Sequence, residues 1–504
     1  MDDTGRIKSV ILPAARNVLF EGDLERQINE ELRYICQVDR AHLVMLAEVG
    51  IIDRSLAATL LRAIDRLVAS HFAPLQARQA SRGLYLLYED YLIETEGASI
   101  GGMLQIARSR NDLNATTLKL RLRRHYLAFA REALRLQAVL LRNSKKFSNI
   151  VMPIYTHGQA AMPGSLGHYL AGVAQSLGRD LDTFIYSAKW LHISPLGAGA
   201  VGGTTLPIDT QRTASLLGFE CGPLNSIDAV ASRNVVLQML SAALIYGVTL
   251  SRLANDFLQW AGAEFNFLRL PDEIVGSSSA MPQKRNPFLL EHVLGRATTA
   301  IGAFISAITA TRATSFTNSV MVGTESIRQT WQAFDDMSNS ILLMRLVLSR
   351  ATPNPEAMLR RATAGLTTAV YLATRIATIN ELDFRTAHRL VGDAIHAVAQ
   401  SESVLSMDNI ILRLKQSGLT VPHESYGAQD VVDISEYGGG PGARSMETCL
   451  LALKQQWRAH RSHVHQQSLR WCEGDKQLDL AARAVCATEP NGRRISIGRN
   501  QKND

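Results

Sequence analysis

Lys284 and Asn286 put a cation and a neutral amide on alternate positions, groups suited to holding a carboxylate that gains charge during a reaction. They follow Gly276-Ser277-Ser278-Ser279-Ala280, small residues that cannot pack a core, and precede Pro287 and an apolar run with helical spacing. A mobile loop feeding a helix N-terminus is a geometry that attracts anions. The serine hydroxyls beside Lys284 are candidate proton acceptors. Taken alone, a Ser-rich loop with a proline stop is more commonly a polar surface turn.

Three other stretches gather polar groups that a helical core would otherwise exclude. Arg108-Ser109-Arg110-Asn111-Asp112 opens a long helical run, and Arg110 with Asn111 offers a planar fork plus an amide donor for a carboxylate. In isolation the same pentapeptide is a helix start with solvated charges. Thr156-His157-Gly158-Gln159 sits between Pro153 and Pro163, where a lone His is commonly structural. Asn225-Ser226-Ile227-Asp228 and Ser232-Arg233-Asn234 suit capping and helix-surface polarity equally well. The Gly-rich run from Pro195 to Thr205 has no Lys-Ser or Lys-Thr of a phosphate loop, so it is expected to be a connector between helices.

The elements that must position these groups are helices. Neither Gly nor Pro interrupts Met103 to Met152, and a helix over about 35 of those residues would be roughly 50 Å long. Helices of that length pack in bundles or at subunit interfaces. Further helical stretches are predicted over Ser165–Leu191, Ile227–Phe267, Phe288–Thr311 and Ser326–Ser349, each bounded by Pro, Gly or polar turn residues. Their Ala-rich faces favour close approach and oligomerisation. The expected architecture is therefore all-α, with a mostly helical N-terminal domain over residues 1–107 and a central long-helix bundle over 108–352. Pro353 and Pro355 end the bundle, and a C-terminal helical domain follows over 353–458. A helix end and basic tail occupy 459–504, with a partly ordered tail expected from about residue 466.

Composition excludes several classes. The 504 residues are 46% apolar and 20% charged, typical of a globular protein with a sizeable core. No run is read as the roughly 18 apolar residues of a membrane span, and the opening Met-Asp-Asp-Thr-Gly-Arg lacks a secretory pattern, so no membrane is expected and the cytoplasm is the expected location. Five scattered cysteines without a Cys-x-x-Cys pair suit reduced thiols rather than a metal site. The net charge of +7 is modest for this length and partly sits in the tail, at Arg493, Arg494, Arg499 and Lys502. It points to an anionic small molecule and not to nucleic acid.

Taken together the stretches have a precedent. Ser109-Arg110-Asn111-Asp112, Thr156-His157-Gly158-Gln159, Asn225-Ser226-Ile227-Asp228-Ala229 and the loop from Gly276 to Pro287 resemble, in order and separation, the motifs of the aspartase/fumarase superfamily, with the argininosuccinate lyases most alike. Asp383-Phe-Arg-Thr-Ala-His388 and Tyr437-Gly-Gly add to the likeness, which covers about residues 85–455. The resemblance implies a three-domain fold, a homotetramer whose active sites are shared among three subunits, and a small dicarboxylate or polycarboxylate substrate, with no cofactor and no metal. It implies anti elimination of fumarate from a succinyl compound through an aci-carboxylate. Carried over residue by residue, Ser278 is the base, and Lys284 and Asn286 hold the aci-carboxylate. His157 pairs with Glu291, while Ser109, Arg110, Asn111, Thr156, Gln159, Ser279, Met281 and Arg233 bind substrate.

The departures are informative. Ser277 stands where Gly precedes the catalytic serine, with Gly276 one place earlier. The Gly-Gly-Arg-Phe opening of argininosuccinate lyases is absent. Their His-Thr is Gln105-Ile106, their Glu-Asp-x-His is Glu89-Asp90-Tyr91-Leu92, and a loop with Tyr, Gln and Lys is replaced by the stretch Phe316 to Glu325. A site that has lost partners for arginine should refuse it, because the polar groups of that substrate would go unsatisfied. The expectation is a carbon–nitrogen lyase acting on an N-substituted aspartate whose amine is not arginine, as in ethylenediaminedisuccinate lyases. Argininosuccinate cleavage is the alternative. A silent, crystallin-like structural role is the alternative of another class, and the intact Ser278, Lys284, Asn286, His157 and Glu291 speak against it.

Overall fold

The protein is described here by a computed structural model that covers residues 9–80, 82–401 and 404–487. The opening Met1–Lys8 and the basic tail at Arg493, Arg494, Arg499 and Lys502 lie outside the described residues.

The longest bundle helix, Arg110–Lys146, has 37 residues, which is about 55 Å at 1.5 Å per residue. Ser109 caps its start and Lys145 and Lys146 occupy its last turn, where they complement the macrodipole. Leu118, Leu122, Tyr126, Phe129, Ala133, Leu136 and Leu140 recur every three or four residues and are all buried. That stripe packs against the helices Leu166–Ser187 and Thr330–Arg350. Phe129 stacks on Phe184 with ring centroids 4.0 Å apart. The helix Asn234–Trp260 completes the bundle against Leu166–Ser187, Phe288–Ala297 and Thr299–Arg312.

Two predicted helices are interrupted, and side chains explain both breaks. The stretch from Ile227 is split at Ser232 and Arg233 into Ser226–Ala231 and Asn234–Trp260, because the Arg233 guanidinium takes the carbonyls of Val230 and Ser232. The stretch from Phe288 bends at Thr298 and Thr299, whose hydroxyls bond back to the carbonyls of Gly295 and Arg296.

The expected all-α class holds, with two small sheets added. Val151–Thr156 and Gln159–Ser165 form an antiparallel hairpin, and Leu268–Arg269 pairs with Thr352–Pro353. All five cysteines are free.

The tail expectation from residue 466 is corrected by a continuous 45-residue helix, Ala443–Ala487. All of its buried residues but Ala482 follow a seven-residue repeat on two positions: Met446, Leu453, His460, Gln467 and Gly474 on one, Val464, Trp471, Leu478 and Val485 on the other. Three of the buried positions are His, Gln and Gly, so the amphipathic pattern is masked in the sequence. Near its end the helix inserts Leu478, Ala482 and Val485 into the core formed by Leu43, Leu46, Leu60 and Leu61. That N-terminal core therefore does not come from the first 107 residues alone.

The reading that no run has the length and apolarity of a membrane span is corrected. Asn234–Trp260 and Phe288–Arg312 are, by length and composition, apolar enough to cross a membrane. In this fold they pack on each other and on Thr330–Arg350. They still leave Ile245, Val248, Ile301, Ile305 and Ile308 between 40% and 57% exposed, an apolar surface on the flank of the bundle.

Candidate active site

The start of the longest bundle helix is held from two sides. Ser109 Oγ accepts the Asn111 N–H, and Asp112 Oδ1 accepts the Ser109 N–H, a reciprocal cap. Ser followed three residues later by an acid is the signal that could have marked it. The other Asp112 oxygen accepts the N–H groups of Gly197 and Gly199, each at 3.0 Å. Gly197 and Gly199 have φ of +101° and +62°, and a Cβ on Gly199 would stand 2.5 Å from the Gly203 oxygen. The Gly-rich run is thus a nest of backbone donors around the chain's own buried carboxylate. Burial raises the Asp112 carboxyl above its ordinary value against the pull of these donors.

Behind Ser109 a buried polar network fixes the approach. Arg108, with no exposed side-chain surface, pairs with Asp39 and donates to the Tyr85 hydroxyl at 2.8 Å. His42 Nε2–H donates to the Ile106 carbonyl at 2.7 Å. Burial, helped by Arg108, lowers His42 to about 3, so it is neutral at physiological pH.

Asn111 is the meeting point of three segments, and a fourth joins the Gly-rich run beside it. Its amide donates to the Ala200 carbonyl at 3.1 Å, and its oxygen accepts from Asn318 Nδ2 at 2.8 Å. Ser226 Oγ donates to the Val201 carbonyl at 2.7 Å, and Asn225 caps its short helix. The structure thus seats the altered stretch Phe316–Glu325 directly on the motif expected to bind a carboxylate. Asn318 had no assigned task in the sequence, since nothing in a Thr-Asn-Ser run signals a contact some two hundred residues away.

Arg233 differs from its expected role as a substrate ligand. It is 3% exposed, and besides Val230 and Ser232 it donates to the Val322 carbonyl at 3.1 Å. Its guanidinium ties the altered stretch to the bundle. Burial lowers it to about 10, which leaves it protonated near neutral pH. Beneath it, Lys119 donates to the carbonyls of Trp190 and Ile193, and burial lowers this amine to about 8. Arg110 is exposed.

Thr156 and Gln159 close the hairpin as its last pair, and His157 and Gly158 form the two-residue turn. Both turn residues have positive φ, 50° and 72°, which matches the twist a tight hairpin needs. His157 is therefore carried at an exposed tip. The extra residue Ala161 makes a bulge before it, between the pairs Ile154↔Met162 and Tyr155↔Ala160.

The serine loop is closed at its base. Gly276 and Asn286 exchange both backbone hydrogen bonds at 2.8 Å, and Arg285 anchors to Asp272 and the Leu270 carbonyl. Asn286 Nδ2 donates to the Ser277 carbonyl at 3.2 Å. Ser278 is half-buried, and its Oγ accepts the N–H groups of Ala280 and Met281 at 3.3 and 3.1 Å. Ser279, Met281 and Lys284 are exposed around it, and Glu291 is exposed in the first turn of Phe288–Ala297.

Among the described residues no hydrogen bond or ion pair joins the helix start at Ser109–Asn111, the hairpin tip and the serine loop within one chain. His157 and Glu291 are not paired there. Arg110, His157, Ser279, Lys284 and Glu291 are exposed on their separate supports, while Ser109, Asn111 and Ser278 are half-buried.

Comparison with known proteins places this arrangement. A family model described as a lyase matches residues 42–302. The chain is 33% identical over 457 residues to an argininosuccinate lyase of Methanothrix thermoacetophila, covering 89% of this chain and 91% of that protein. Its fold is similar to that of EDDS lyase solved in complex with formate, at a TM-score of 0.83 and 26% identity over 95% of this chain and 96% of that one. A variant of EDDS lyase with bound fumarate matches with the same TM-score at 25% identity, over 95% of this chain and 96% of that one. A class II fumarase of Schistosoma mansoni shares the fold at a TM-score of 0.61 and 15% identity, over 72% and 87% of the two chains. The chain belongs to the aspartase/fumarase superfamily, and it is an argininosuccinate lyase-like carbon–nitrogen lyase that releases fumarate.

Proposed function

We propose that this cytoplasmic enzyme eliminates fumarate from an N-substituted aspartate whose amine is not arginine. An aminopolycarboxylate such as ethylenediaminedisuccinate, giving N-(2-aminoethyl)aspartate, is the substrate of choice. The observation that carries this reading is the hydrogen bond from Asn318 to Asn111. It seats the Phe316–Glu325 stretch, which lacks the Tyr, Gln and Lys of an arginine-accepting loop, against the carboxylate-binding motif. The exposed Val320 and Phe316 give that side of the site an apolar character.

In this reading Ser278 removes the proton beside one carboxylate. Its two backbone N–H donors favour the alkoxide over the hydroxyl, and neither Ser277 nor Ser279 has such donors among the described residues. Lys284 and Asn286 hold the dianionic aci-carboxylate, whose collapse expels the amine and leaves fumarate. Ser109, Arg110, Asn111, Thr156, Gln159, Ser279 and Met281 hold the substrate carboxylates, and Arg233 supports them from behind. His157 meets Glu291 between subunits of a homotetramer. The exposed apolar flank of the bundle and the separation of the three groups within one chain both support that assembly. Light scattering on the purified protein should report about four times the 55.3 kDa chain.

Argininosuccinate is the second candidate substrate, favoured by the 33% identity to a named argininosuccinate lyase against 26% to EDDS lyase. Fumarate absorbance followed with the two substrates side by side decides between them. Rapid turnover of argininosuccinate, with none of ethylenediaminedisuccinate, overturns the first reading.

A further inference from the structure

An open cavity of about 620 Å3 lies between the longest bundle helix and the 45-residue helix. Its floor is apolar, with Leu141 from one wall and Leu450 and Trp457 from the other. Trp457 Nε1 donates to the Leu134 carbonyl at 2.9 Å, so the indole is fixed as a platform. The rim is cationic: Arg142, Lys145, Lys146 and Lys454 line it and, among the described residues, no carboxylate does. Arg461 adds a guanidinium 5.5 Å from the indole centroid. Glu447, one turn from Leu450, lies outside the cavity, and Glu132 is already paired with Arg135 and Arg345. The helix macrodipole accounts for Lys145 and Lys146. It does not account for Arg142, one turn earlier, or for Lys454 on the facing helix.

A fixed aromatic platform inside a rim of unneutralised cations suits an anion with a flat apolar body. The volume is that of a small-molecule site. We propose that this cavity binds a nucleoside di- or triphosphate, with the base on Trp457 and the phosphates against Lys145, Lys146, Lys454 and Arg142. Arg142 is roughly 46 Å along the helix from Asn111, so the nucleotide and the substrate do not meet on one chain.

The test is calorimetric titration of the full-length oligomer with ATP, with tripolyphosphate and adenosine as separate probes. ATP should bind once per chain, quench tryptophan fluorescence and stay bound when fumarate is added. The double variant Lys145→Gln/Lys454→Gln should bind ATP at least roughly tenfold more weakly while keeping its mass and its fumarate release. No binding at millimolar ATP, displacement by fumarate, or equal binding by the double variant overturns the proposal. Tripolyphosphate binding as tight as ATP also overturns it, by removing the base from the site. A smaller assembly in the double variant overturns it by assigning the cavity to a subunit contact.

Discussion

His42 gives a prediction whose size follows from the structure. The residue is 2% exposed and donates Nε2–H to the Ile106 carbonyl, two residues before Arg108. Protonation would place a second cation beside the Arg108 guanidinium in a buried site. Its value is about 3 in the folded protein against an ordinary 6.5. The unfolded chain therefore takes up a proton that the folded chain refuses, and stability is lost as pH falls through the window from about 6.5 to about 3. Between pH 7 and pH 5 the loss from this one group is about 2 kcal/mol, from 2.303RT per pH unit integrated over both states. His42→Gln keeps an N–H for Ile106 and cannot titrate. Urea unfolding followed by circular dichroism at one protomer concentration should show the wild type losing about 2 kcal/mol more than His42→Gln over that interval. His192, which burial lowers to about 4, is present in both proteins and cancels in the difference. Equal losses in the two proteins would refute a buried neutral His42.

Three further outcomes follow from the site. Ser278→Ala should lower turnover at least roughly 100-fold, whereas Ser277→Ala should stay near wild type; the reverse pattern in steady-state fumarate release would move the base to Ser277. Asp112→Ala strips the acceptor from Gly197 and Gly199 and should destabilise the fold by about 4 kcal/mol, read as a shifted urea midpoint. Asn318→Ala removes a 2.8 Å bond to Asn111 and should lower kcat/KM for the preferred substrate by roughly 3- to 10-fold, the equivalent of one net hydrogen bond.

Helix periodicity was a good guide wherever one apolar stripe met one core. The stripe from Leu118 to Leu140 shows this, as does the end of Thr330–Arg350, which starts four residues later than expected because a separate turn occupies Glu325–Ile327. It failed where polar side chains do the work of apolar ones. His460 and Gln467 are buried within the 45-residue helix, and Arg233 breaks another helix by taking its carbonyls. The candidate site residues are legible as local motifs because the chemistry proposed for them demands particular types at short spacings. Their supports were not: Asn318 and Gly199 act through contacts across the fold, which no local pattern records. The proposed meeting of His157 and Glu291 between subunits involves two exposed side chains that make no hydrogen bond or ion pair with each other within one chain.

The 45-residue helix also imposes an order on the birth of the protein. Leu478, Ala482 and Val485 fill the core of the opening helices, and Arg40 and Gln37 reach across to Asp479 and Asp475. The opening helices are synthesised well before the helix that completes their core. At 5–20 residues per second the ribosome needs roughly 20–80 s to travel from residue 104 to residue 485. Throughout that interval the nascent N-terminal helices present an unfilled apolar groove. A holding chaperone has its longest opportunity there, and a chain cut short before residue 478 leaves that groove without its native occupant.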